Sequence, residues 1–321
     1  MKQFAIQISP EAKSAYFAEY QAVAQQELLQ SLHGVAIASK GLELLKIGSL
    51  EFFVLELPED ALPLVANLSF VLGVFEYHEE GLIPLDLAPT FLLHDDFVFG
   101  SKFKGKTNER LTQMLINVGL SYLDSDVKDV RLLDPMCGRA TTLLWAMRYG
   151  ISAVGIEQDS KALGDIQRNV KKWCKVHRQK HKFDEGYVSR ANKKKTGPYV
   201  QFSVDDHSMK VITGDARVAD TLLGKQRFNL IVSDLPYGVQ HFTTEKTRNP
   251  NAVLESCLPV WKSVLAKDGV MVLAYNRYLP KRETFTKLAE EAGLNVVPFE
   301  VPHRMSESIV RDLIVLTHGD G

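Results

Sequence analysis

The apolar positions of this chain change rhythm partway along it. From about residue 130 onward, short apolar runs alternate with longer segments in which apolar residues recur at helical spacing. Val130–Leu133, Ala153–Ile156, Lys210–Ile212, Phe228–Val232 and Gly269–Tyr275 read as strands, followed by a final antiparallel pair at Asn295–Val301 and Ile309–Leu316. Thr141–Tyr149, Lys161 to about Val176, Ala252–Leu265 and Lys281–Ala292 read as helices. Strands this continuously apolar are buried on both faces. The alternation predicts an α/β fold: a Rossmann-like, doubly wound, mostly parallel seven-stranded sheet with an antiparallel last strand. Ligands of such sheets bind at the carboxyl ends of the strands, near the switch in strand order.

The first hundred residues follow another pattern. Phe4–Ile8 alternates as a strand does, and Pro10–Leu32 reads as one amphipathic helix with Pro10 at its start and Gly34 past its end. Leu42–Ile47 and Glu51–Leu57 form two strands around Gly48-Ser49, and Leu62–Tyr77 holds a helix and a strand. The expectation is a small α+β domain at 1–95 and a larger domain at 96–321. The latter opens with a helix capped by Thr107 and running to about Tyr122.

Charge sharpens that division. The net charge of −1 conceals 4 Lys/Arg against 14 Asp/Glu in residues 1–100, and 34 against 25 in the remainder. The second part is therefore the better match for a polyanionic partner. Between Arg168 and Lys195 lie 11 Lys/Arg and 2 acids, interleaved with Trp173, Phe183 and Tyr187. This basic insertion, around 168–200, reads either as a solvated surface segment or as a phosphate-contacting surface with aromatics for stacking. Cys137, Cys174 and Cys257 form no C-x-x-C pair, which argues against a disulfide framework and structural zinc; no metal is expected. The N-terminus lacks a signal-peptide core, and the most apolar stretch, 61–75, is too short and too interrupted to span a bilayer. A soluble, cytoplasmic protein is the expectation, with no membrane partner.

The chemistry gathers where strands end. Asp134-Pro135-Met136-Cys137-Gly138-Arg139-Ala140-Thr141 is a strand, a turn and a helix start. Gly138 allows a ligand close to the backbone, and the helix N-terminus offers free N–H donors. A dinucleotide site is conceivable here, but G-x-A is not G-x-G-x-x-G. Glu157, ending the next strand, can accept hydrogen bonds from ribose hydroxyls. Asp215, in Gly214-Asp215-Ala216, can accept from an adenine amine. Asp234-Leu235-Pro236-Tyr237-Gly238 follows a fourth strand and makes a rigid polar pocket suited to a planar amino group.

In that order these motifs resemble class I S-adenosylmethionine-dependent methyltransferases. Within them they resemble the RNA methylase family, which includes tRNA guanine-N2 methyltransferases and THUMP-associated enzymes. The resemblance covers roughly residues 104–318 and includes Lys104-Gly105-Lys106-Thr107-Asn108-Glu109. It implies that Asp134, Pro135, Met136, Cys137, Gly138 and Thr141 lie beneath the methionine portion of the cofactor. It further implies that Glu157 holds the ribose, that Asp215 and Ala216 meet the adenine, and that Thr107 and Asn108 border the cofactor site. Asp234, Leu235, Pro236 and Tyr237 would bind the target base.

The implied activity is methylation of an exocyclic base amine in tRNA or rRNA, guanine N2 foremost, with S-adenosylhomocysteine as product. Related pockets serve DNA adenine and protein glutamine, and a catalytically inert RNA-binding module is the alternative of another class. Ala140 stands where the family has glycine, tolerable if its φ is negative. Leu235 stands where many relatives have proline, and the N-terminal unit shows no convincing THUMP sequence.

Overall fold

The computed structural model describes residues 2–35, 41–87, 91–101, 103, 106–191, 194–236, 250–306 and 309–319. The N-terminal unit comprises β1 (Lys2–Ile8), α1 (Pro10–Tyr16), α2 (Tyr20–Ser31), β2 (Glu43–Ile47), β3 (Leu50–Leu57), α3 (Leu62–Ala66), β4 (Val71–His78) and β5 (Gly81–Pro84). Its strands form an antiparallel sheet in the order β2-β3-β1-β4-β5. The single helix expected over Pro10–Leu32 is broken: α1 ends at Phe17, whose φ is +51°, and a short 3₁₀ turn leads into α2. The break seats Tyr16 in the core, its hydroxyl 2.7 Å from Ser69 Oγ. Apolar periodicity alone cannot register such a change of direction, because both halves carry a buried face.

The remainder comprises α4 (Asp96–Phe99), α5 (Glu109–Leu120), β6 (Arg131–Asp134), α6 (Thr141–Arg148), β7 (Ser152–Glu157), α7 (Lys161–His177), β8 (Lys182–Ala191), β9 (Lys194–Val204) and β10 (His207–Thr213). It continues with α8 (Ala219–Leu223), β11 (Phe228–Asp234), α9 (Pro250–Val264), β12 (Leu265–Asn276), α10 (Arg282–Glu291), β13 (Leu294–Val297), β14 (His303–Ser306) and β15 (Ile309–His318). The sheet runs β13-β15-β12-β11-β6-β7-β10-β9-β8, with β14 paired to β15. The four pairings among β12, β11, β6, β7 and β10 are parallel, and β15 is antiparallel to both its neighbours β12 and β13. The seven expected strands are therefore present, and β8, β9 and β14 extend them.

Both faces of the central strands of this sheet are buried, as the apolar runs require. Along β12, Val270, Val272 and Ala274 face one core while Met271, Leu273 and Tyr275 face the other. The first core takes in α5, α6 and α7 and continues into the N-terminal unit through Tyr16, Val23 and Leu28. The second is closed by Trp261 of α9 and Phe285 of α10.

One local expectation is corrected. The cap of α5 is Asn108, whose Oδ1 accepts from the Leu111 N–H at 3.0 Å; Thr107 lies one residue outside, and asparagine is the stronger cap. The basic insertion takes in the second half of α7 and the strands β8 and β9; β9 pairs antiparallel with β10 and β8 with β9, which lengthens the sheet edge. Among the described residues, no helix is long and apolar enough to cross a membrane.

Candidate active site at the strand ends

Strand order reverses between β6 and β11: the chain runs outward through β7 and β10, then returns to β11 on the other side of β6. Asp134 and Asp234 end the two strands that flank this switch, and Glu157 and Asp215 follow at β7 and β10. The structure thus brings four of the expected acids to one rim of the sheet.

Asp134 is only 2% exposed. Its Oδ1 accepts from the Met136 N–H at 3.0 Å and from the Ser233 hydroxyl at 2.8 Å. Burial pushes its pKa up to about 6, against the hydrogen bonds of Thr142, Ser233 and Met136, and the charge of Asp234 adds to the rise. Pro135, Cys137 and Thr141 are buried beside it, while Met136 and Gly138 are partly exposed. Burial also raises the Cys137 thiol well above its usual range, which argues against a nucleophilic role.

The loop is shaped by close backbone approach. Cys137 N–H donates to Ile156 O, and a Cβ added to Gly155 would lie 2.6 Å from Cys137 Sγ. Gly138 has φ +53° and nothing within 4 Å of where a Cβ would sit, so its backbone faces open space. Glu157 binds the loop with both oxygens: Oε2 accepts from Gly138 N–H and Oε1 from Asp159 N–H, each at 2.8 Å. A carboxylate has about four acceptor positions, so some remain for ligand hydroxyls. Ala140 departs from the tolerable case. Its φ is +66°, in the left-handed region, and it is fully buried at the N-cap of α6. That conformation costs a residue with a Cβ roughly 1–2 kcal/mol.

Asp215 is gripped by Arg217. The guanidinium lies 2.7–3.1 Å from both carboxylate oxygens, and the Arg217 N–H reaches Oδ1 at 2.9 Å. Burial pushes Asp215 upward, but the Arg217 hydrogen bonds outweigh it and hold the pKa below the usual value. Any adenine contact is therefore made by an acid already paired with a cation. Ala216 is buried and its carbonyl accepts from Trp261 Nε1 at 3.0 Å.

Asp234 is met by a residue no motif pointed to. Arg311, on β15, places its guanidinium 3.3 Å from Asp234 Oδ2, and both side chains are almost entirely buried. Leu235 N–H donates to Ala274 O at 2.9 Å, its side chain lies in the second core, and Pro236 is partly exposed. Tyr237, like Gly238, lies outside the described residues. Thr107 and Asn108 stand at the head of α5; Asn108 is engaged in capping, and Lys106 beside them pairs with Glu109 at 2.7 Å.

A bare backbone over Gly138, with acids at the ends of successive parallel strands, fits a ligand that carries ribose hydroxyls and an adenine amine. The strand order and this rim define the class: a class I methyltransferase whose cofactor is S-adenosylmethionine. The chain belongs to the family of the RMKL-like methyltransferase domain, whose model matches residues 116–305. No curated protein sequence matches the chain.

Similar solved structures include TrmN from Thermus thermophilus, at 14% identity and TM-score 0.45, covering 84% of this chain and 57% of that one. The chain thus spans little more than half the length of TrmN. They also include PH1948 from Pyrococcus horikoshii, at 15% identity and TM-score 0.42, covering 72% and 93%. A third is magnesium protoporphyrin IX methyltransferase from Synechocystis PCC 6803 with bound S-adenosylmethionine, at 11% identity and TM-score 0.42, covering 68% and 87%.

Proposed function

We propose that this methyltransferase acts on an exocyclic amino group of an RNA base, guanine N2 in tRNA or rRNA foremost, in the cytoplasm. The observation that carries the reading is Asp234, a buried carboxylate at the strand-order switch, held by Arg311 and followed by Leu235-Pro236. The cofactor supplies an electrophilic methyl group. The protein's part is to present the amine to it. An exocyclic amine is a poor nucleophile because its lone pair is delocalised into the ring. A fixed carboxylate acceptor can hold one of its N–H bonds and favour the pyramidal nitrogen that attacks. Orientation of this kind is worth roughly 7–11 kcal/mol when the reacting atoms are held in line. In this reading Pro236 stiffens the turn, and Tyr237 offers a stacking face worth about 1–3 kcal/mol.

Asp134, Glu157 and Asp215 are proposed as the cofactor's acceptors, with Gly138 beneath it. RNA is favoured by the cationic face of α7 and its exit, where Lys171, Lys172, Lys175, Arg178, Lys180 and Lys182 are exposed. The interleaved aromatics contribute less than the sequence implies. Trp173 donates its ring N–H toward Ser101 and Asn169 and carries Lys172 at 4.1 Å from its centroid. Phe183 packs on Phe202 at 5.4 Å, and only Tyr187, 38% exposed, presents substantial surface. Residues 1–95, being acidic, are proposed as an accessory unit and not the main phosphate-binding surface.

The test is labelled-methyl transfer to RNA, DNA and protein pools by the wild type and Asp234→Ala. Transfer to RNA, reduced roughly 100-fold or more in the variant with S-adenosylhomocysteine binding retained, is the expected result. Undiminished transfer by the variant overturns the role of Asp234. Transfer confined to DNA or protein overturns the substrate class, and calorimetry showing no cofactor binding by the wild type points to an inert module.

A further inference from the structure

The break between α1 and α2 sets two residues of the N-terminal unit against β14. Tyr16 ends α1, and its ring meets that of His303 edge-on, with centroids 5.6 Å apart and planes at 85°. Glu19, in the 3₁₀ turn that follows, accepts from the Arg304 N–H at 3.3 Å. β14 is four residues long and pairs with β15. It is thus held from two sides, by its partner strand and by the N-terminal unit. Val301, just before it, lies in the same core as Tyr16.

From His303 the contacts lead to the rim. His303 and Arg311 are cross-strand partners on β14 and β15. Side chains so placed share a face, with Cβ atoms about 4.5–5.5 Å apart. Both are buried, His303 at 1% and Arg311 at 5% exposure. His303 Nδ1 lies 3.0 Å from the Val301 carbonyl, which can only accept, so Nδ1 donates and the ring plane is fixed. Arg311 in turn reaches Asp234 Oδ2 at 3.3 Å. A long arginine side chain has many rotamers and keeps one of them only where its neighbours exclude the others. On the β14 side, the neighbour is His303, and what steadies His303 from behind is Tyr16.

We propose that Tyr16 and His303 are positioning residues through which the N-terminal unit holds the Arg311 guanidinium against Asp234, a role that rests on the reading of Asp234 as the acceptor for the target amine. The N-terminal unit then serves transfer by fixing that carboxylate and not by touching RNA, which suits its acidic charge. Tyr16 acts through its ring, because its hydroxyl is engaged with Ser69. The left-handed turn at Phe17 is what delivers the ring to β14.

The test is a double-mutant cycle on the full chain, with methyl transfer measured on whichever pool, RNA, DNA or protein, accepts the label. His303→Asn keeps a donor for the Val301 carbonyl and removes the ring. Tyr16→Leu keeps apolar bulk and removes the edge contact. Each should lower kcat roughly tenfold with S-adenosylhomocysteine affinity unchanged. Tyr16→Phe, which keeps the ring, should restore the rate. Beside Arg311→Met, neither substitution should cost further rate, because both act through the guanidinium; a merely structural loss would repeat in full. An unchanged kcat in folded His303→Asn, or the full loss repeated beside Arg311→Met, overturns the proposal and leaves Asp234 its role. Undiminished transfer by Asp234→Ala removes that role and the proposal with it. Should both ring variants fail to fold, Glu19→Ala decides, since it releases the Arg304 N–H and leaves both rings intact: a lowered kcat at unchanged cofactor affinity supports the linkage, and an unchanged kcat overturns it.

Discussion

Glu27 and Asp134 are both carboxyl groups taken out of water, and burial pushes both upward, yet their surroundings differ in kind. Glu27 lies on the seam between α2 and α5 and is fully buried. Its Oε1 accepts from Ser69 N–H at 2.9 Å and from Asn117 Nδ2 at 2.8 Å, and its Oε2 accepts from the Ser69 hydroxyl. Asn117 in turn accepts from the Tyr149 hydroxyl at 2.7 Å, while Gln113 donates to Asn67 O at 2.9 Å. This network closes on itself and ties the N-terminal unit to the parallel-sheet unit. The rim around Asp134 is left open instead: Gly138 faces empty space, and Glu157 keeps acceptor capacity. A closed polar network specifies an interface, whereas an open one prepares a ligand site.

The sharpest break of this contrast is Glu27→Ala. It strands buried donors on Ser69 and Asn117 and should cost about 3 kcal/mol in urea denaturation, with methyl transfer per folded molecule unchanged. A large loss of activity without loss of stability would erase the distinction between seam and rim.

Arg311→Met probes the rim from the other side. Freed of its guanidinium partner, Asp234 loses orientation, and the transfer rate should fall roughly tenfold to 100-fold while S-adenosylhomocysteine affinity is kept. A fall in cofactor affinity alone would place Arg311 on the wrong half of the site.

Asp134 offers a pH test. Its folded pKa of about 6 exceeds the ordinary 3.8, so the folded state binds this proton more tightly than the unfolded chain. The resulting stabilisation is full below 3.8 and is lost as pH rises through about 6. The stability of wild type relative to Asp134→Asn should therefore rise by about 1 kcal/mol between pH 7 and pH 5. A difference that stays flat would show that the carboxyl is not desolvated.

The smallest expected effect is Ala140→Gly. Relief of the left-handed strain should exceed the entropic cost of glycine and stabilise the protein by up to about 1 kcal/mol. A loss of stability would mean that the buried methyl group contributes more packing than its backbone loses in strain.

Much of the parallel-sheet unit was legible because its signals are local. Each strand is an apolar run, and each rim acid ends a strand or follows it within two residues. The helix at Pro10–Leu32 and the basic hairpin were not, for related reasons. Phe17 turns the chain where Tyr16 meets Ser69, a partner more than fifty residues away. β8 and β9 carry charged residues along an edge, so pairing with β10 compensates for a weak apolar pattern.

The sequence by itself determined the class of fold, the order of the strand-end acids and the resemblance that names their cofactor, since each depends on a few adjacent residues. Tertiary structure alone decided that Ala140 takes a left-handed backbone and that Arg311 crosses from β15 to Asp234. It likewise decided that Tyr16 meets His303 and that Glu27 closes the seam. Each of these contacts joins groups distant in the chain whose approach is set by packing around them, and no spacing along the chain encodes it.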